Sequence, residues 1–122
     1  MYSEVQKWLD AALDQPIPDG TAGFVFNLYE DGDDLWSLEL VATSRFDEND
    51  PDWGCDELTD LGTRENPLSW IEDAGWEAIQ QEAADALSEY LSGGKYADVL
   101  KKADGVGVGF VDGELELLYV RQ

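Results

Sequence analysis

The chain has 122 residues, 43% of them apolar, which is enough for one folded domain and argues against a disordered acidic tail. Its 28 Asp and Glu against 7 Lys and Arg give a net charge of −21, so nucleic acid and anionic membrane surfaces repel it. With no histidine and a single cysteine, Cys55, it can build no His-based catalytic triad, His-containing zinc site or intrachain disulfide. No apolar run approaches the roughly 18–20 residues of a membrane span, and the N-terminus lacks a signal-peptide pattern. A cytoplasmic protein is expected.

The elements begin with an amphipathic helix over 3–14. Val5, Trp8, Leu9, Ala12 and Leu13 form one stripe of the 3.6-residue period. Ser3 with Gln6 fits a capping box, and Pro16-Ile17-Pro18 ends the segment. A strand over 22–30 alternates Phe24, Phe26 and Leu28 with Val25, Asn27 and Tyr29, and Glu30–Asp34 makes a turn. The next strand, 35–44, puts Trp36, Leu38, Leu40 and Ala42 on one face. Ser37, Glu39 and Thr43 fall on the other, which reads as a wet side.

Residues 45–68 keep neither period and form a long acidic surface loop, a length that is often functional. A helix follows to residue 92, starting either at a Ser69/Glu72 cap or near Asp73 beside Gly75. Gly93-Gly94 stops it. A short helix over 95–103 precedes two strands joined at Asp112-Gly113, a type I′ hairpin signal. The order α-β-β-α-α-β-β predicts a single α+β domain over 1–122, with an antiparallel four-stranded sheet of two hairpins and helices packed on one face. Trp8, Trp76 and Leu87 are expected against its apolar side.

Chemistry-bearing motifs are scarce. Gly105-Val-Gly-Val-Gly-Phe lacks the spacing and the following helix of a dinucleotide fingerprint. Its alternating glycines instead leave room for a helix backbone or a bulky aromatic. The acidic stretches fail the twelve-residue calcium-loop pattern, because Pro51 occupies a ligand position. Close carboxylate pairs are inevitable among 28 acids and signify nothing by themselves. Cys55 sits among acids that oppose thiolate formation, so it reads as a small residue tucking the loop against the sheet. No enzymatic activity, cofactor or dedicated metal site is expected.

The segment 46–60 stands out. It carries Asp47, Glu48, Asp50, Asp52, Asp56, Glu57 and Asp60 with no base, yet also holds Phe46, Trp53, Cys55 and Leu58. Trp53 either pins this loop to the core or anchors a partner. Charge is skewed along the chain as well, with net −20 in residues 1–89 and −1 in 90–122. The loop acids and Trp53, helped by Asp31, Asp33 and Asp34 of the first hairpin turn, are the candidate contacts for a basic protein.

Several stretches resemble a known family. They are Phe26-Asn-Leu-Tyr-Glu30, Trp36 with Leu38-Glu-Leu40, Phe46-Asp47, Asp52-Trp-Gly-Cys-Asp-Glu57 and Gly105-Val-Gly-Val-Gly-Phe-Val-Asp-Gly-Glu-Leu-Glu-Leu-Leu-Tyr119. Together they are similar to small acidic bacterial immunity proteins of polymorphic and contact-dependent growth-inhibition toxin systems. The resemblance implies a non-enzymatic inhibitor of a cognate toxin domain, and it carries over no contact residues. A nucleic-acid mimic acting on another basic protein, or a halophilic housekeeping domain, are the alternative readings.

Overall fold

A computed structural model describes residues 1–122. Three helices, α1 (Tyr2–Ala12), α2 (Trp76–Gly93) and α3 (Ala97–Lys101), accompany six strands. The strands are β1 (Gly23–Gly32), β2 (Leu35–Thr43), β3 (Glu57–Thr59), β4 (Leu68–Ile71), β5 (Gly105–Phe110) and β6 (Glu116–Val120). The strand order is β3-β2-β1-β5-β6, with β4 sharing the outer edge of β2 with β3. The two long hairpins do join in one α+β sheet. They join through β1 and β5, which run parallel from Gly23↔Gly105 to Leu28↔Phe110, so the sheet is mixed and not antiparallel throughout. The reason lies in the connection. α2 and α3 return the chain to the start of β1, where the Asp104 N–H donates to the Ala22 carbonyl (2.8 Å), and β5 can only run alongside.

The loop 45–68 is also more structured than its lack of period implies. It contains a 3-10 turn (Pro51–Cys55) and the three-residue β3, and β4 begins within its last residue. β4 takes Ser69, placed opposite Ser37, so α2 starts at Trp76 with Gly75 as its N-cap. The expected capping box of α1 does not form, because the Ser3 hydroxyl donates to Glu4 Oε2. The two-residue turn with positive φ at both positions is Asp33-Asp34 (53° and 62°), following a bulge at Asp31. Asp112-Gly113 has no positive φ and is not a type I′ turn. Its residues belong to a longer connection in which the Gly113 N–H donates to the Phe110 carbonyl (2.9 Å).

The main core lies between the helices and one sheet face. Val5 and Leu9 of α1 and Ile79, Ala83, Leu87 and Tyr90 of α2 cover Phe24, Phe26, Leu38, Leu40, Val106 and Val108. Trp8 is half-buried against this core and its indole N–H donates to the Asn66 carbonyl (2.9 Å). Trp76 is not part of it; it stands 55% exposed at the head of α2. Nor is the opposite sheet face wet along β2. Ser37, Glu39 and Thr43 are all buried there, and Val25, Val41 and Trp53 form a second, smaller core.

Candidate functional site

Trp53 holds the 46–60 loop down. It is 1% exposed, edge-on to Phe46 (ring centroids 4.8 Å apart), over Val25 and Val41, with Leu115 and Leu117 alongside. Strand positions without side chains make the room. A Cβ on Gly107 would stand 3.2 Å from the Trp53 ring, and one on Gly105 would fall within the Phe46 ring. The alternating glycines thus admit bulky aromatics, as their spacing implies. Trp53 is unavailable as a partner anchor because this pocket already encloses it. Cys55 and Leu58 are exposed, so Cys55 does not tuck the loop in.

Two arginines that flank the same loop brace it. Arg45 donates to Asp50 (2.7 Å) and Asp56 (2.8 Å), and Arg64 to Glu57 (2.7 Å) and Glu39 (3.0 Å), with Asp60 at 3.9 Å. Arg45 and the Asp52 N–H together hold the Asp50 carboxyl below its usual range. Asp47 and Asp60 accept from the backbone N–H groups of Asn49 and Gly62, both at 2.9 Å, stiffening their turns. Four of the seven candidate loop acids are therefore paired internally. Asp47, Glu48 and Asp52 are exposed without a basic partner.

Behind the loop, Glu39 is buried (side chain 4% exposed) and accepts from Asn27 Nδ2 and the Tyr29 hydroxyl (both 2.8 Å) as well as Arg64. Burial opposes its ionisation, but the donors Arg64, Asn27 and Tyr29 outweigh that and hold the carboxyl below its ordinary 4.5. Burial and the Glu39 carboxylate push the Tyr29 hydroxyl up to about 12. A depressed carboxyl stabilises the fold above its unfolded pKa and loses that contribution as pH falls through the folded value. Glu39→Gln should therefore cost about 1–3 kcal/mol at pH 7. In urea titrations its deficit should shrink by pH 3. A deficit of the same size at both pH values would mean that ionisation is not its source.

The Glu30–Asp34 turn lies at the far end of the β1–β2 hairpin from the departure of the 46–60 loop. The nine residues of β2 separate the two ends by about 30 Å. The fold does not bring these two segments together as one surface. It gathers other acids around the turn instead. The Glu72 N–H donates to the Asp34 carbonyl and the Trp36 indole N–H to the Glu72 carbonyl (both 2.9 Å). Trp76 meets Phe110 edge-on at 6.2 Å, which carries the β5–β6 connection to the same end. Segments 30–34, 72–77 and 112–114 thus contribute nine acids and no base. Burial and the neighbouring Glu72 carboxyl push the Glu82 carboxyl above its ordinary value, a sign of that crowding.

The bases Lys95, Lys101, Lys102 and Arg121 lie at the opposite end, on and beside α3, where Arg121 Nη1 donates to the Lys102 carbonyl (3.3 Å). Sequence reasoning selected Asp31, Asp33 and Asp34 but missed Glu72, Asp73, Glu77, Asp112 and Glu114. The near-neutral sum over 90–122 concealed a base-free Asp112-Gly113-Glu114 turn, which was the signal available. Nowhere do three or more Asp, Glu or Cys side chains converge as metal ligands would. No helix is long and apolar enough to cross a membrane. No protein-family model, curated protein or solved structure matches the chain.

Proposed function

We propose that the protein is a non-enzymatic acidic inhibitor, an immunity protein that binds and neutralises a cognate basic toxin domain in the cytoplasm of its producer. A nuclease is the toxin class whose cationic cleft best suits its charge. The observation that carries this reading is the hairpin pole, where nine acids gather with no base, whereas the four bases around α3 are interleaved with Asp98, Asp104, Asp47 and Glu48. A uniform acidic coat would serve solubility alone. A base-free pole of this density orients the molecule as it approaches a cationic surface, and charge complementarity can raise association towards 10⁸–10⁹ M⁻¹s⁻¹, against roughly 10⁵–10⁶ for neutral pairs.

Co-expression with the product of the adjacent gene tests it. The expected result is a 1:1 complex and restored growth of cells carrying that product. No complex, together with a fold that requires molar KCl, would replace the reading with a halophilic domain. Within a complex, Asp31, Asp33 and Asp34 changed together to Asn should slow association about ten-fold and flatten its salt dependence. Asn tolerates the left-handed backbone of this turn, so its shape should survive. The same neutralisation of Asp47, Glu48 and Asp52 should slow association less; stopped-flow mixing at two salt concentrations ranks the two sets.

A further inference from the structure

At the acidic pole the first turn of α2 borders an open groove of about 850 Å³. Leu28 and Phe110, the last pair of the β1–β5 ladder, line it with Val111 and Trp76. The carboxylates of Glu30, Asp112 and Glu114 stand along it, and no base lines it. The volume falls within the range of ligand-sized clefts, roughly 300–1,000 Å³. Trp76 is the anomaly among the five tryptophans. Trp36 and Trp53 are buried, while Trp8 and Trp70 are half-buried against the core. Trp76 stays 55% exposed, in edge contact with a Phe110 ring that itself rests on Trp36 (5.9 Å). Its flank on the groove side is open, and Val111 beside the groove is 51% exposed.

We propose that this groove seats an arginine- or lysine-bearing segment of a basic protein partner. This rests on the reading that the partner is basic, and it names where the partner is gripped. The aliphatic stem of such a side chain packs on Phe110 and Val111, as long cationic side chains do on apolar surface. Its charged head lies against the Trp76 ring, within the ~6 Å reach of a cation–π contact, and meets the Glu30, Asp112 and Glu114 carboxylates. Apolar lining alone would admit any greasy segment, but three rim carboxylates without a counter-charge select a cation. The same carboxylates oppose a two-fold pairing of this pole with itself, which would press nine acids against nine. They exclude an anionic lipid surface on the same ground.

The test uses ¹⁵N-labelled protein, whose five tryptophans give five indole N–H signals, and an amidated hexapeptide of alternating Arg and Leu. The signal lost in Trp76→Ala identifies Trp76. That signal should move on titration while those of Trp36 and Trp53 stay. Trp76→Ala should weaken binding about ten-fold or more with an unchanged melting temperature, and Trp76→Phe should recover part of the loss. A Glu-Leu hexapeptide should not bind. Equal affinity for wild type and Trp76→Ala would overturn the proposal in favour of diffuse charge attraction. Equal binding of the Glu-Leu peptide would overturn the cation selectivity. Concentration-dependent dimers abolished by Trp76→Ala would assign the groove to a second copy. A natural basic partner that binds Trp76→Ala as tightly as wild type would refute the groove alone. The absence of any basic partner would refute the broader function and leave the peptide result standing.

Discussion

Replacing Trp53 with alanine lowers the melting temperature of the free protein by on the order of 10–20 °C. The residue is 1% exposed, and it supplies most of the volume of a cluster whose other fully buried members are only Val25 and Val41. Truncating a buried tryptophan costs about 3–5 kcal/mol, since the lost transfer energy is compounded by a cavity its neighbours fill only in part. Here the neighbours are strand backbone at Gly107 and the edge of Phe46, neither of which can move in far. The substitution should also release the 3-10 turn and weaken the hold of Arg45 on Asp50 and Asp56. Differential scanning calorimetry of the free protein decides the matter. An unchanged melting temperature would show that Trp53 does not hold the loop.

The second large effect is expected at Gly105. A single added methyl group lies where the Phe46 ring packs, so Gly105→Ala expels the ring or shifts β5. Overpacking of this kind costs about 1–3 kcal/mol, and at an aromatic backed by buried strand the upper end is expected. Phe46→Ala removes the obstacle while creating its own loss. The two changes together should therefore cost at least about 1 kcal/mol less than their sum, because they act on one contact. Chemical denaturation of the four proteins of this cycle measures the coupling. Strict additivity would mean that Gly105 matters for backbone reasons and not for space.

What the sequence revealed followed from period and volume. The stripe of α1, the alternation of Phe24, Phe26 and Leu28, and the end of α2 at Gly93 all come from local patterns the fold obeys. The spacing of Gly105, Gly107 and Gly109 announced a bulky neighbour without saying which. Burial of Glu39 was not legible, because a polar residue on an alternating strand looks solvated until its donors, Asn27, Tyr29 and a distant Arg64, are placed around it. β3 and β4, at three and four residues, are too short to display a period. The parallel β1–β5 pairing was hidden for another reason: each hairpin satisfies its own pattern, and nothing local says which edges will meet. At the candidate site, Asp31, Asp33 and Asp34 were within reach of the sequence. Their alliance with Glu72, Asp112 and Trp76 depends on contacts between segments about forty residues apart along the chain, which no running sum of charge can anticipate.

The parallel β1–β5 pairing governs the order in which a growing chain can complete its fold. On a ribosome adding about 5–20 residues per second, β1 and β2 emerge and can close as a hairpin at once. The edge of β1 that β5 will occupy then stays unpaired while more than sixty further residues are made. Trp53 emerges about fifty residues ahead of Gly105 and Gly107, which complete its pocket. Such long-range closure slows folding and leaves an open strand edge and an exposed indole in the nascent state. If the proposed immunity function holds, a producer making toxin and inhibitor together would have to begin translating the inhibitor first, or keep a folded reserve.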